Sequence, residues 1–166
     1  MEYEYRTGIG TDIHRLVADR KLILGGVEIP YPLGLLGHSD GDVVLHAVID
    51  AMLGATGMGD IGTLFPDTDE QWKDVDSRKL VRAVREMLEE KRWEIVNIDV
   101  TVHAEEPKLG SVKGHIKRSI AELGGMDFVN VNVKAKTNEG LDAVGEGKAI
   151  AATVVTLLRR RLKRTL

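Results

Sequence analysis

The sequence predicts an α/β (α+β) two-layer sandwich, a mixed β-sheet with helices on one face, and three observations predict it. Two segments alternate at period two. Ile98, Val100, Val102 and Ala104 oppose Asp99, Thr101 and His103; Val129, Val131, Val133 and Ala135 oppose Asn130, Asn132 and Lys134. Each would turn one apolar face to a helical layer and one polar face away from it. Segments with apolar residues at three- and four-residue steps are interleaved with these strands, as a sandwich requires. The 166 residues are 43% apolar and show no repeat or linker, so residues 1–166 are expected to form a single domain.

In chain order, Tyr3 to Thr11 alternates and contains Gly8 and Gly10, a strand with places for close backbone approach. Lys21 to Pro30 reads as a hairpin turning at Gly25-Gly26, ended by Pro30, Pro32 and Gly34. The central helix follows. Ser39-x-x-Asp42 reads as a capping box, and Val44, Ala47, Val48, Ala51 and Met52 form its core stripe. Asp42, His46 and Asp50, at i, i+4 and i+8, share a different face. Four glycines between Gly54 and Gly62 break this helix, and Phe65 to Glu70 is an acidic, turn-rich loop of the kind that closes over sites.

Asp76-Ser77 caps the next helix, with Leu80, Val81, Val84, Met87 and Leu88 inward. Between the alternating strands, Gly114 to Leu123 is helical. A last helix is expected from about Gly147, with Ile150, Val154, Leu157 and Leu158 inward. Arg159, Arg160, Arg161, Lys163 and Arg164 would then complement the negative end of its dipole. The polar sheet face, with Thr101, Asn130 and Asn132, permits burial against a partner subunit.

Composition narrows the function. A formal charge of −3 and a pI of 6.0 argue against general nucleic-acid binding. No apolar run is long enough for a membrane span, and Met1-Glu2-Tyr3-Glu4 lacks the pattern of a secretory leader, so a cytoplasmic location is expected. Without cysteine there are no disulfides or thiolate metal sites. Walker, G-x-G-x-x-G and G-x-S-x-G motifs are missing.

The chemistry gathers elsewhere. Asp12-Ile13-His14 lies in extended chain, where residues two apart point the same way, and so makes a bidentate pair. His38 and Ser39 feed the central helix, which carries His46. Two imidazoles and one carboxylate are the ligand count of a catalytic zinc site with an open fourth position. Spacing alone does not bring the pair and His46 together; each could equally be a structural residue. Glu105-Glu106-Pro107-Lys108 and Lys136-Thr137-Asn138-Glu139-Gly140 are polar loops following strands, where ligands of α/β sheets commonly sit, though each also suits a solvated connection.

Taken together, these motifs resemble one family across almost the whole chain. They are Asp12-Ile13-His14, Gly25-Gly26-Val27-x-Ile29-Pro30, His38-Ser39-Asp40-Gly41-Asp42 with His46, Gly59-Asp60-Ile61-Gly62, Phe65-Pro66-Asp67-Thr68-Asp69, Pro107-Lys108 and Lys136-Thr137-Asn138-Glu139. The family is that of the 2-C-methyl-D-erythritol 2,4-cyclodiphosphate synthases of the non-mevalonate isoprenoid pathway. The resemblance implies a homotrimer with active sites between subunits, acting on a cytidine diphosphate derivative. By that resemblance Asp12, His14 and His46 bind Zn2+, and Glu139 holds a second cation, Mg2+ or Mn2+, on the diphosphate. His38 and Thr137 match catalytic positions that stabilise the transition state.

Substrate-binding positions carried over the same way are Asp12, Ile13, His14, His38 and Ser39; Asp60, Ile61 and Gly62; Phe65, Pro66, Asp67, Thr68 and Asp69. On the cytidine and diphosphate side they are Ala104, Pro107, Lys108, Leu109 and Gly110, with Ala135, Lys136, Thr137, Asn138 and Glu139. The resemblance departs at Leu141 to Lys148, where Ala143, Glu146 and Lys148 replace an aromatic residue and a charge order common in the family. The isoprenoid-diphosphate pocket linked to those positions is therefore not carried over. The extra domain of fused bifunctional synthases is not expected either. The rival class is a non-catalytic trimeric metal- or ligand-binding module, which would need Asp12, His14 and His46 but not Glu139 or Lys108.

Overall fold

Strand β1 (Tyr3–Val17) begins a mixed five-stranded sheet in the computed structural model of the chain, which describes residues 2–162. A two-stranded hairpin, β2 (Leu22–Leu24) and β3 (Val27–Ile29), turns at Gly25-Gly26 as expected. Then come β4 (Gly34–Leu35), α1 (Val43–Thr56), the short α2 (Ile61–Leu64), α3 (Ser77–Glu90), β5 (Glu94–His103) and α4 (Lys113–Gly124). After β6 (Val131–Lys136) and the short α5 (Asp142–Gly145), β7 (Ala149–Arg161) ends the order. The sheet runs β4-β1-β7-β5-β6. Only β5 and β6 are parallel.

The last segment is thus a strand, not the helix that its apolar spacing suggested. Ile150, Val154 and Leu158 fit both periods, but Ala152 and Thr156 are buried with them, giving period two. Paired with β1 along thirteen residues and with β5 on its other side, the segment satisfies its backbone in the middle of the sheet. The arginine reading changes with it. Arg159 donates to Glu94 and Arg160 to Glu4 across strands, at 2.9 and 2.7 Å, and Arg160 lies over the Trp93 ring. No helix dipole is involved. Lys163 and Arg164 lie outside the described residues.

All the long helices cover one face. The apolar sides of the strands, with Ile98, Val100, Val102, Val131, Ile150 and Val154, pack under α1, α3 and α4 in one core. Helix α1 is buried on nearly every side because strands lie below it and α3 beside it. The opposite sheet face is open and carries Ile9, Ile13 and Val155 among threonines, with Asp99, Asn132 and Lys134 hydrogen-bonded to one another.

Candidate functional site

A close approach of helix to strand positions the site. A Cβ on Gly10 would stand 1.9 Å from the Ala47 carbonyl oxygen, and one on Gly8 the same distance from that of Ala51. Two glycines on β1 and two alanines on α1 therefore let helix and strand meet backbone to backbone. Asp12 and His14 continue along β1 on this face, and His46 precedes Ala47 on α1. Asp12 Oδ2 then lies 2.8 Å from His14 Nε2 and 3.0 Å from His46 Nδ1, and the two nitrogens lie 3.2 Å apart. Spacing in the sequence left this meeting open; the packing of α1 on β1 brings it about.

The helix start differs from the capping box. Asp42, not Ser39, is the N-cap of α1, accepting from the amides of Val44 and Leu45 at 3.1 and 3.0 Å. The same buried carboxylate accepts from Gly25 and Gly26 and so pins the hairpin to the helix. Burial, with the neighbouring Asp40 adding to it, pushes its pKa up to about 6 against those amide bonds. Ser39 is thereby released from capping, and its hydroxyl lies 3.0 Å from His46 Nε2.

The three facing atoms suit a cation. His14 Nδ1 lies 2.5 Å from the Leu36 carbonyl, which only accepts, so Nδ1 carries the proton and Nε2 presents a lone pair. Asp12 also only accepts. Burial works against its charge, but in the metal-free protein protons shared with the facing imidazoles of His14 and His46 outweigh that and hold the carboxyl well below the usual range. Burial likewise lowers His14, and Asp12 more than reverses it, leaving the imidazole raised. Among the described residues this is the one His/Asp/Glu group of three or more arranged to hold a metal ion. Two imidazoles and a carboxylate, each oriented by an outer partner or by the others, fit zinc.

Beside this triangle is a cavity of about 230 Å³. Of the residues expected there, Asp12, His14, His38, Ser39, His46, Ile61, Gly62, Phe65 and Asp67 line it. Nε2 of His38 is buried with no hydrogen-bond partner. Asp60 instead caps α2 through Thr63, and Asp69 caps a short turn at Gln71; neither they nor Pro66 and Thr68 line the cavity.

Asp50, Trp72, Val75 and Leu80 also line it without having been singled out as site residues. Asp50 accepts from the Ile61 amide at 2.8 Å and so anchors α2; burial raises its pKa. Its place four residues after His46 was a usable signal. Ser77, 3.0 Å from His46 Nε2, lies 31 residues away and had none.

The second set of expected residues forms a separate group. Parallel pairing of β5 and β6 puts His103 opposite Lys136, and Ala104 N donates to the Lys136 carbonyl at 2.9 Å. Asn138 N donates to Glu105, Lys108 Nζ to the Glu105 carbonyl, and Thr137 Oγ1 to Glu139 at 3.2 Å. Both loops thus meet at one sheet edge. Ala104 and Leu109 are core residues there, whereas Lys108, Glu139 and Gly110 are exposed. None of Lys108, Thr137 or Glu139 lines the cavity by the triangle.

Comparison with known proteins gives a consistent answer. The YgbB family profile matches residues 5–159. The 2-C-methyl-D-erythritol 2,4-cyclodiphosphate synthase of Bordetella petrii is 54% identical over 160 residues, covering 96% of this chain and 99% of its own. A CDP complex from Plasmodium falciparum superposes with a TM-score of 0.84 at 36% identity, covering 95% of this chain and 97% of that one. A bifunctional protein from Campylobacter jejuni superposes with a TM-score of 0.92 at 39% identity over 96% of this chain, which spans 43% of that longer one.

Proposed function

This chain belongs to the YgbB family of cyclodiphosphate synthases, and from that premise we propose the reaction it performs. It converts 4-diphosphocytidyl-2-C-methyl-D-erythritol 2-phosphate to 2-C-methyl-D-erythritol 2,4-cyclodiphosphate and CMP, as a phosphorus–oxygen lyase of the non-mevalonate pathway. The observation that carries this reading is the Asp12–His14–His46 triangle beside a cavity that His38 and Ser39 also line.

The nucleophile is the substrate's own 2-phosphate, already an anion, so no protein base or nucleophile is required. The chain must fold the substrate back on itself and neutralise charge while CMP leaves. Zn2+ held by Asp12, His14 and His46 would supply Lewis-acid polarisation of the β-phosphate. His38 and Thr137 stabilise the transferring group. Ser39 flanks the phosphates, Ile13 offers only its backbone because its side chain is on the open sheet face, and the methylerythritol part occupies Asp60 to Gly62 and the 65–69 loop. The cytidine and diphosphate lie against Ala104 to Gly110 and Ala135 to Glu139, where Glu139 would hold Mg2+ or Mn2+ to neutralise phosphate charge.

The two groups would have to work on one substrate, yet within one chain they stand apart. A homotrimer that sets the triangle of one subunit against the strand-end loops of the next completes the site. The open sheet face supports such assembly, since Ile9 and Ile13 are 64% and 57% exposed there. The chain serves as one domain, with a small-molecule substrate and neither nucleic acid nor membrane as partner. No helix among the described residues is long and apolar enough to cross a membrane. A charged nucleotide substrate, which does not cross membranes unaided, favours a cytoplasmic location.

Release of CMP from the synthetic substrate, together with zinc analysis, tests the reading. The protein should turn over with one zinc per subunit. His46→Ala should lose both zinc and turnover while keeping its fold by circular dichroism. Full zinc occupancy in that variant would remove His46 from the ligand set.

A further inference from the structure

Behind the metal ligands runs a hydrogen-bonded chain whose far members, Ser77 and Asp40, the proposed reaction leaves without a role. His46 Nε2 lies 3.0 Å from the hydroxyl of Ser77 and 3.0 Å from that of Ser39. Ser77 Oγ lies 2.5 Å from Asp40 Oδ1, and Ser77 N donates to Asp40 Oδ2 at 2.9 Å. Ser77 is 0% exposed, Ser39 7% and His46 9%, which leaves little room for water as an alternative partner. The direction of the hydrogen bonds follows from donor counting. A carboxylate only accepts, so the Ser77 hydroxyl proton goes to Asp40. The Ser77 oxygen then has only lone pairs for His46, and Nε2 must carry the proton. Ser39 Oγ, which also takes the Gly41 amide at 3.3 Å, can share in accepting it.

We propose that Asp40 and Ser77 are positioning residues that hold His46 in its Nε2-protonated tautomer, so that the Nδ1 lone pair faces Asp12 and His14. The assignment rests on the metal reading above and deepens it. His14 is oriented by the Leu36 carbonyl, a backbone group that no substitution removes. His46 depends instead on two side chains from different elements. Asp40 stands just before α1 and Ser77 opens α3, so correct ligation by His46 requires α3 to be docked. Asp40 N also donates to the Val75 carbonyl and Asp74 N to the His38 carbonyl. The segment that supplies Trp72 and Val75 to the cavity wall is thus tied to the same metal ligand.

Asp40→Asn probes the polarity. An amide can turn its NH2 toward Ser77 Oγ, which then donates to His46 Nε2 and drives the imidazole proton to Nδ1, where the metal must bind. Apparent zinc affinity, measured by chelator competition, should fall about 10- to 100-fold. Nitrogen NMR of the metal-free variant should show Nδ1, in place of Nε2, protonated in His46. Unchanged affinity with Nε2 still protonated would overturn the proposal. Should Asp40→Asn fail to fold, the Ser77 pair decides. Ser77→Ala should lose affinity and Ser77→Thr regain it, and a Ser77→Ala variant that binds zinc like the wild type overturns the relay. A wild-type protein that takes up no zinc would overturn the metal reading instead. The His46 nitrogen spectrum of metal-free wild type and variants would still decide the tautomer.

Discussion

The two functional regions of this chain are built in opposite ways. The triangle of Asp12, His14 and His46 sits half-buried at the edge of the core, where glycines on β1 admit α1 to within backbone contact and each imidazole is fastened by its second nitrogen. The strand-end group of Lys108, Thr137 and Glu139 sits on loops, with Lys108 and Glu139 exposed, and is held mainly by local hydrogen bonds. Donors that must converge on one ion within a few tenths of an ångström need a rigid scaffold. Groups that meet a flexible diphosphate can sit on loops and be completed by another surface. The difference teaches that one half of the proposed site is finished inside the chain, and the other is the half that the proposed neighbouring subunit would complete.

Separating subunits would have the largest effect on that contrast. Dilution or interface substitution to monomers, followed by sedimentation, should abolish turnover while zinc content stays intact. A fully active monomer at micromolar concentration would show that the two regions never needed joining.

Next in size is the scaffold itself. Gly10→Ala forces a methyl into the Ala47 carbonyl and should cost about 3 kcal/mol and displace His46 from Asp12, read by denaturant midpoint and zinc content. Gly110→Ala, with no atom within 4 Å, should stay within about 0.5 kcal/mol of the parent.

Within the exposed group, Glu139→Gln should lower kcat on the order of 10²-fold and alter the magnesium or manganese dependence. Lys108→Ala should raise KM about tenfold with kcat little changed, because a phosphate contact exists before and after the transition state. Zinc should be normal in both. Loss of zinc in either variant would erase the boundary between the regions.

The smallest effect is one of pH. In the metal-free protein the His14 pKa is raised, so its stabilising pairing with Asp12 is fully present below the unfolded value of about 6.5 and is lost as pH rises through the folded one. Zinc competes with that same proton. Apparent zinc affinity should therefore weaken on acidification from above pH 6.5, by up to about tenfold per unit, with Asp12 contributing nothing until far lower pH. Isothermal titration across pH 6 to 8 would read this, and a flat profile would mean that His14 carries no competing proton.

Much of this protein was legible in its residues alone. Period two announced β5 and the core of β6, the Gly25-Gly26 turn announced the hairpin, and Asp12-x-His14 was bound to share a strand face, because these features depend only on near neighbours. Ile150 to Leu158 was different. Its apolar residues satisfy both the helical and the extended period, and only a central place between β1 and β5 decides for the strand. Tertiary structure also decided that His46 meets Asp12, that Asp42 rather than Ser39 caps α1, and that Ser77 stands behind the metal ligand. In each case the partners lie on different elements, and the register and packing that join them are collective properties of the core, absent from any local spacing.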